Sequence, residues 1–287
     1  MAAEIAAADR PPQLELDFAP DAHGVTRVTR RRVRYPYTFL KPFWFGDAPR
    51  GIATVLLQSG SGGLYGGEQL AQRYACAPGA AVHVTTQAAA VAHAAGSLGM
   101  TRQRVDISLA ADTYCEYLPE LAILFPGAAL RQLTEIQMAS DAVLIHADGV
   151  VSHDPCDRQR PFAHYASEVT IRDLEGRLRV RDALAIDGAD FDRMLMQADV
   201  QWRACGLLLA AAPSRALDHA AWSTELNALL GKETDRCYVG VGCLPTDTGI
   251  ACRVLARDGC ALRDALTAAW RHLRLMLTGA VAPRARK

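Results

Sequence analysis

No Cys-x-x-Cys pair, no Gly-Lys-Ser/Thr phosphate loop and no apolar run long enough to span a bilayer occurs in these 287 residues. The first absence removes the close thiolate pair that seeds a tetrahedral zinc site, although eight cysteines are present. Without the second there is no anion cradle of the kind nucleotide hydrolases use. The longest apolar stretch is around "CGLLLAAA", far short of a membrane span. An excess of charge is missing too: Lys+Arg and Asp+Glu number 31 each, so no overall positive field attracts nucleic acid or an anionic membrane. The opening "MAAEIAAADRPP" lacks a basic segment followed by an apolar one. The expectation is therefore a cytoplasmic protein with reduced thiols. A neutral chain has little colloidal protection, which favours a protein partner.

Glycine, by contrast, is concentrated. "GSGGLYGGEQL", residues 60–70, places Gly60, Gly62, Gly63, Gly66 and Gly67 in one window. A dinucleotide fingerprint starting at Gly60 would need glycine where Tyr65 stands, and a nucleophile elbow around Ser61 would need one where Ser59 stands. Downstream, Val82, Val84 and Thr86 alternate with His83, Thr85 and Gln87, so strands follow these glycines and not a helix. Their predicted role is to shape the chain.

Residues 1–25 are rich in Ala, Pro and Asp without a sustained period and read as a flexible tail, leaving 26–283 as a single domain. The period is mostly two as far as about residue 212. Val105, Ile107 and Leu109 alternate with polar neighbours, and Val169 and Ile171 are answered by Leu178 and Val180 across a turn containing Gly176. Arg177, Arg179 and Arg181 fall on a wet face of the returning strand. The period then becomes helical. One helix carries Trp222, Leu226, Leu229 and Leu230, with Ser214 as N-cap and Gly231 as C-cap. A second runs from about Cys260 to Thr278, with Leu262, Leu266, Ala269, Leu273 and Leu277 inward, Arg263, Arg271 and Arg274 outward, and Gly279 and Pro283 ending it. The pattern predicts a mainly β protein with two α-helices in the C-terminal third. No sequence repeat is evident.

Four stretches in order, "SGGLYGGEQL", "GAAVHVTTQAA", "CEYLPELAILFPGAAL" and "ALRDALTAAWRHLR", resemble the UreD (UreH) family of urease accessory proteins over most of residues 28–283. The resemblance implies a superhelical stack of β-strands with C-terminal helices, and a non-catalytic metallochaperone scaffold with no tightly bound cofactor. Implied partners are the urease apoprotein, a UreF-like protein and the UreG-like GTPase it recruits, with nickel crossing a water-filled passage. Departures from the family pattern are local. Glu68 stands for the usual aspartate, Val91 and His93 stand for a lysine and a tyrosine, and Ala147 or Asp148 and Ser152-His153 stand for a glutamate and a Gly-Arg pair. The tail "VAPRARK" lacks an aromatic ending. A UreD-like protein serving another metalloenzyme, or a His/Cys/Asp-dependent hydrolase, are the alternatives.

Glu68, Thr86, Gln87, Glu116 and Glu120 are expected on a polar passage or a subunit contact, because buried acids and amides need partners or water. The bland reading of Gln87, Glu116 and Glu120 is ordinary strand ends and turns. Nickel(II) takes imidazole, thiolate and carboxylate donors. His93, His146, His153 and Cys156 are the candidates, with His153, Asp154 and Cys156 as a local trio; the competing reading of 146–164 is a solvated hairpin loop. Cys237, Cys243, Cys252 and Cys260 are too irregularly spaced for a zinc site.

Overall fold

Alternating sequence becomes a coil of strands. In the computed structural model, which describes residues 11–45, 49, 51–194, 196–197, 200–215, 218–231 and 236–282, the chain from Ala53 onward shuttles between two sheets. Ala53–Ser59, Ala81–Thr86, Tyr114–Leu118 and Val143–Ser152 lie side by side in one sheet, each parallel to the next. Gln69–Cys76, Thr101–Leu109, Ala129–Met138 and His164–Arg172 do the same in the other. Each turn of the coil thus adds one strand to each sheet, a solenoid-like stack. Further strands, most of them antiparallel, extend both sheets, to seven strands (ending in Thr26–Val33 at one edge and Leu178–Asp187 at the other) and to ten, among the described residues. The mainly β architecture with C-terminal helices agrees with the periodicity.

Side chains of one parity meet between the sheets: Val82 and Val84, Val105, Ile107 and Leu109, and Val169 and Ile171 are all buried there. The other parity of the seven-stranded sheet is solvated and carries ion pairs from strand to strand, including Arg181–Glu168 (2.8 Å), Arg73–Asp17 (3.3 Å) and Arg30–Glu15 (3.2 Å). Leu178 does not answer Ile171 in the interior; it is 48% exposed, because the register shifts between Ile171 and Arg172 beside the Gly176 turn. A second correction concerns the N-terminus. Leu14–Pro20, expected within a flexible tail, is a strand lying parallel to Gln69–Cys76, with Leu14, Leu16 and Phe18 buried. Three apolar residues at period two sufficed to specify it, but the polar residues around them diluted the signal. Residues 1–10 lie outside the described residues.

The glycines of 60–70 do shape the chain. Leu64 N donates to Val91 O (2.7 Å) and His93 N to Leu64 O (2.9 Å), drawing this loop against residues 91–99. A Cβ on Gly66 would lie 2.3 Å from the carbonyl oxygen of Ala95, and Gly67 has φ +75°. Gly66→Ala is expected to cost about 1–3 kcal/mol through forced backbone movement, read as a lowered denaturation midpoint and faster proteolytic nicking within 60–70.

Three α-helices lie among the described residues. α1 (Gly188–Met194), which the periodicity did not predict, packs beside Leu178–Asp187 of the seven-stranded sheet and buries Phe191 in the core between the sheets. α2 (His219–Leu230) and α3 (Gly259–Thr278) cover the other face of the ten-stranded sheet. Asp218, and not Ser214, caps α2 by accepting from Ala221 N at 3.0 Å. Asp258 caps α3 through Ala261 N at 2.8 Å, and Gly279 ends it at φ 71°. Pro283 falls outside the described residues. The five predicted inward residues of α3 are buried, and Arg263 and Arg271 are exposed. Arg274, predicted outward, is 2% exposed: at i+4 from Trp270 and i−3 from Leu277 it shares the edge of the packed stripe. No described helix is long and apolar enough to cross a membrane.

Candidate passage between the sheets

Polar residues at inward positions prevent the interior from closing. Gln72, Gln103 and Gln132 interrupt mostly apolar inward rows on three neighbouring strands of the seven-stranded sheet. Gln103 and Gln132 are register partners, joined by Gln132 Nε2 donating to Gln103 Oε1 at 2.9 Å; Tyr165 OH donates to Gln132 Oε1 at 2.9 Å. Gln72 accepts from Tyr74 OH at 2.6 Å and donates to Tyr37 OH at 3.0 Å. Burial, with the nearby Glu68 charge and against the Gln72 hydrogen bond, pushes the Tyr37 phenol up to about 12, so it stays protonated. Opposite these amides stand Tyr117, His146 and Asp148 of the ten-stranded sheet, and between the two sides lies a cavity of about 300 Å³.

Its mouth is formed by Gln58, Ser59, Gln87 and Glu120. Gln58 Nε2 donates to Gln87 Oε1 at 2.6 Å, and Thr86 Oγ1 accepts from Glu120 N at 2.9 Å, so Thr86 fastens one side of the opening to the other. At the inner end, Asp148 accepts from Ser167 Oγ at 2.7 Å. Asp148 also borders a slot of about 10 Å³ with Asp182 and Arg253, which form an ion pair. The two cavities therefore meet at one carboxylate.

His146 is 1% exposed and stacks on Tyr117, ring centres 5.8 Å apart and 1° from parallel. Neither of its ring nitrogens has a hydrogen-bond partner among the described residues. Burial pushes its pKa below the ordinary histidine value, against the opposing charges of Asp148 and Asp182, so the ring is neutral at pH 7 and presents a free lone pair. With amides, hydroxyls, an imidazole and a carboxylate set among apolar side chains, the cavity is roomy enough and offers the hydrogen-bonding partners to hold water.

The sequence candidates are distributed unevenly around this space. Thr86, Gln87 and Glu120 line it, as does His146. Glu68 lies beside it, its Oε2 accepting from Tyr65 N at 2.9 Å to hold the glycine loop. Glu116 is on the opposite face of its strand, toward the helices, and is fully buried. Its carboxylate accepts from Arg274 Nη1 at 3.0 and 2.8 Å and from Tyr114 OH at 2.5 Å, and lies 2.6 Å from His83 Nδ1. Glu116 is thus an anchor for α3 and neither a passage wall nor an exposed subunit contact. His93 stacks on Tyr65 (4.7 Å) outside the cavity.

The trio in the 153–156 loop does not form a donor set. Asp154 accepts from Cys156 N (3.0 Å) and from Arg160 Nε (3.0 Å) and Nη2 (3.0 Å), which closes the loop on itself; the Arg160 hydrogen bond holds its carboxyl well below the usual range. His153 is exposed beside Phe125, and Cys156 is exposed. Among the described residues no three His, Cys, Asp or Glu side chains gather to hold a metal. Cys237 and Cys252 are buried as small hydrophobes while Cys243 and Cys260 are exposed, which rules out a four-thiolate site.

Gln72, Gln103, Gln132, Tyr117, Asp182 and Arg253 were not singled out from the sequence, and Asp148 was noted only as a departure from the family pattern. The available signal was an amide recurring at the inward parity of successive strands, visible once the strand phase is known.

Residues 10–287 match the family model described as the UreD urease accessory protein. The chain is 37% identical over 281 residues to "Urease accessory protein UreD 1" of Methylorubrum populi, covering 96% of this chain and 91% of that one. Against the protein of that name from Pseudomonas syringae pv. syringae it is 34% identical over 270 residues, covering 94% and 93%. A third relative, also named UreD 1, from Bradyrhizobium sp., is 35% identical over 268 residues, covering 93% and 91%. With a match over nearly its whole length and relatives at this identity, the chain belongs to the UreD family of urease accessory proteins.

Proposed function

We propose that this protein is a non-catalytic scaffold of the cytoplasm that holds the urease apoprotein on one side and a UreF-like and UreG-like pair on another, and passes nickel between them through the cavity between its sheets. Nickel here is cargo and no resident cofactor is required. The observation that carries the reading is His146, buried and without a hydrogen-bond partner among the described residues, on a cavity that reaches Asp148, which also borders the Asp182–Arg253 slot. An imidazole and a carboxylate suit nickel(II), and fewer than three protein donors gathered at one point suit release over storage. The absence of a phosphate loop fits a division of labour in which a partner hydrolyses nucleotide.

Ala90 lines the cavity near its mouth. Ala90→Phe is expected to place a ring in the passage at a folding cost of about 1–3 kcal/mol, leaving the protein folded and partner-bound. Urease activated with this variant, assayed for bound nickel and for urea hydrolysis, should fall toward the level reached without the accessory protein. Full activation by a folded Ala90→Phe protein would refute the passage. Co-purification with a different metalloenzyme, and none with urease, would refute the client.

A further inference from the structure

Between Asp21 and Asp47 the chain has no acidic residue, yet it carries Arg27, Arg30, Arg31, Arg32, Arg34 and Lys41. It also carries six aromatic residues: Tyr35, Tyr37, Phe39, Phe43, Trp44 and Phe45. In a chain of zero formal charge this is a local composition that needs a cause. The segment forms the edge strand Thr26–Val33 of the seven-stranded sheet and the arm that follows it.

Part of that charge is matched inside the molecule. Asp21 pairs with Arg27 at 2.9 Å, and Glu15 with Arg30 at 3.2 Å and Arg32 at 3.8 Å. Arg31, Arg34 and Lys41 have no ion pair among the described residues, and all three are exposed. Protection of a sheet edge accounts for arginines and for the register shift opposite Asp17 and Phe18. It does not account for the apolar surface beside them. Tyr35 (72%), Leu40 (49%), Phe43 (36%), Trp44 (42%) and Phe45 (51%) are five of the thirteen exposed large hydrophobic residues among those described, crowded into eleven positions. A surface protected only against association would not place them together.

The arm is also fixed in place. Phe43 and Thr54 exchange backbone hydrogen bonds at 2.9 and 2.7 Å, and Trp44 Nε1 donates to Thr26 O at 3.1 Å. Phe43 stacks on Phe45 at 5.4 Å, Arg27 lies over Trp44 at 4.7 Å, and Arg31 over Phe39 at 5.5 Å. Exposed aromatics and arginines held in this way are the residue types that dominate binding energy at protein interfaces, and preorganisation lowers the ordering cost of association.

We infer that this face docks an acidic segment of a partner protein that also bears large apolar side chains. Charge complementarity decides the occupant. A second copy meeting it face to face would bring unmatched cations against unmatched cations, with no acid in the segment to offset them. The chain as a whole has no positive field to hold a nucleic-acid backbone. The face adjoins the passage, since Pro36 and Tyr37 line the cavity and Tyr37 is the register partner of Ser59 at its mouth. A partner seated here would abut the opening. That last consequence rests on the proposed function; the docking itself does not.

The test uses the full-length protein and three labelled probes: a peptide of alternating Glu/Asp and Leu/Phe, poly-glutamate, and a single-stranded oligonucleotide. Binding is followed by fluorescence anisotropy at several salt concentrations. The mixed peptide should bind most tightly, weaken with salt, and protect residues 27–45 from hydrogen exchange. Arg31→Glu with Arg34→Glu should weaken it by about tenfold or more through like-charge contacts, and Phe45→Ser should weaken it independently of salt. Ala90→Phe should bind the peptide as the unmodified protein does, which separates this inference from the passage. No binding of the mixed peptide, tighter binding of the oligonucleotide, or binding indifferent to these substitutions in folded variants would overturn it.

Discussion

Arg274→Ala lowers folding stability by about 3–5 kcal/mol, the largest effect expected of any single substitution in this protein. Arg274 and Glu116 are 2% and 0% exposed, and their ion pair at 2.8 Å joins α3 to the middle of the ten-stranded sheet. Taking the arginine away leaves a carboxylate in the interior with only His83 and Tyr114 to hold it, and an uncompensated buried charge is what makes such breaks expensive. Glu116→Gln should be costly for the mirror reason, since it removes the carboxylate charge that offsets the buried guanidinium. Glu116→Leu combined with Arg274→Met should recover most of the loss, because an apolar pair of similar size avoids the desolvation of both ions. Urea midpoints of the four proteins check this, and a double variant no better than either single one would show that specific geometry, and not charge burial, sets the cost.

The same cluster fixes an acid dependence. Burial pushes the Glu116 carboxyl up, but the His83 hydrogen bond and charge, then Arg274 and Tyr114, outweigh it and hold the pKa below the ordinary glutamate value. A folded value below the unfolded one, about 4.3, means that the unfolded chain binds the proton more readily. The stabilisation is complete above the unfolded value and is lost as pH falls through the folded one. Wild-type stability should therefore decline in that window with a component of slope that Glu116→Gln lacks.

Arg274 also marks the limit of what was legible in the sequence. Leu262, Leu266, Ala269, Leu273 and Leu277 gave the buried stripe of α3 correctly, because apolar spacing reports a helix face directly. The arginine on the edge of that stripe reads as solvated unless its partner is known, and Glu116 lies 158 positions away. Glu116 suffered the converse error: it was read beside Glu120 as a passage or contact residue, but Tyr114–Leu118 is buried on both faces, and nothing in the run tells which parity faces the other sheet and which faces the helices. His83 is the register partner of Glu116 on the neighbouring strand, and sequence alone supplies no pairing of strands. The cavity lining was half visible for the same reason. Thr86, Gln87 and Glu120 were found from their motifs, whereas the inward amides Gln103 and Gln132 become neighbours, with Gln72 one inward step away, only after three parallel strands are set in register.

His146→Phe separates the folding of the passage from its use. The aromatic ring can keep the parallel stack on Tyr117, and it removes two polar nitrogens that have no hydrogen-bond partner among the described residues. Burying an unsatisfied polar group costs about 1–3 kcal/mol, so the variant should be at least as stable as the parent and gain up to that amount. Under the proposed nickel transit, delivery should move the other way. The imidazole is the one neutral nitrogen donor on the cavity wall among the described residues, and without it Asp148 is left as the only carboxylate at the inner end of the main cavity. In a reconstituted activation mixture, His146→Phe is expected to bind its partners normally and to deliver little nickel to urease, while His146→Gln, which restores a polar donor and acceptor, should recover part of the delivery. The discriminating readout is the direction of the two changes together. A bystander histidine predicts higher stability with activation unchanged; a transit ligand predicts higher stability with activation lost. A variant that is less stable and inactive would instead place the ring among the groups that hold the sheets apart, and the role of nickel donor would pass to Asp148, where Asp148→Asn tests it with the same assay.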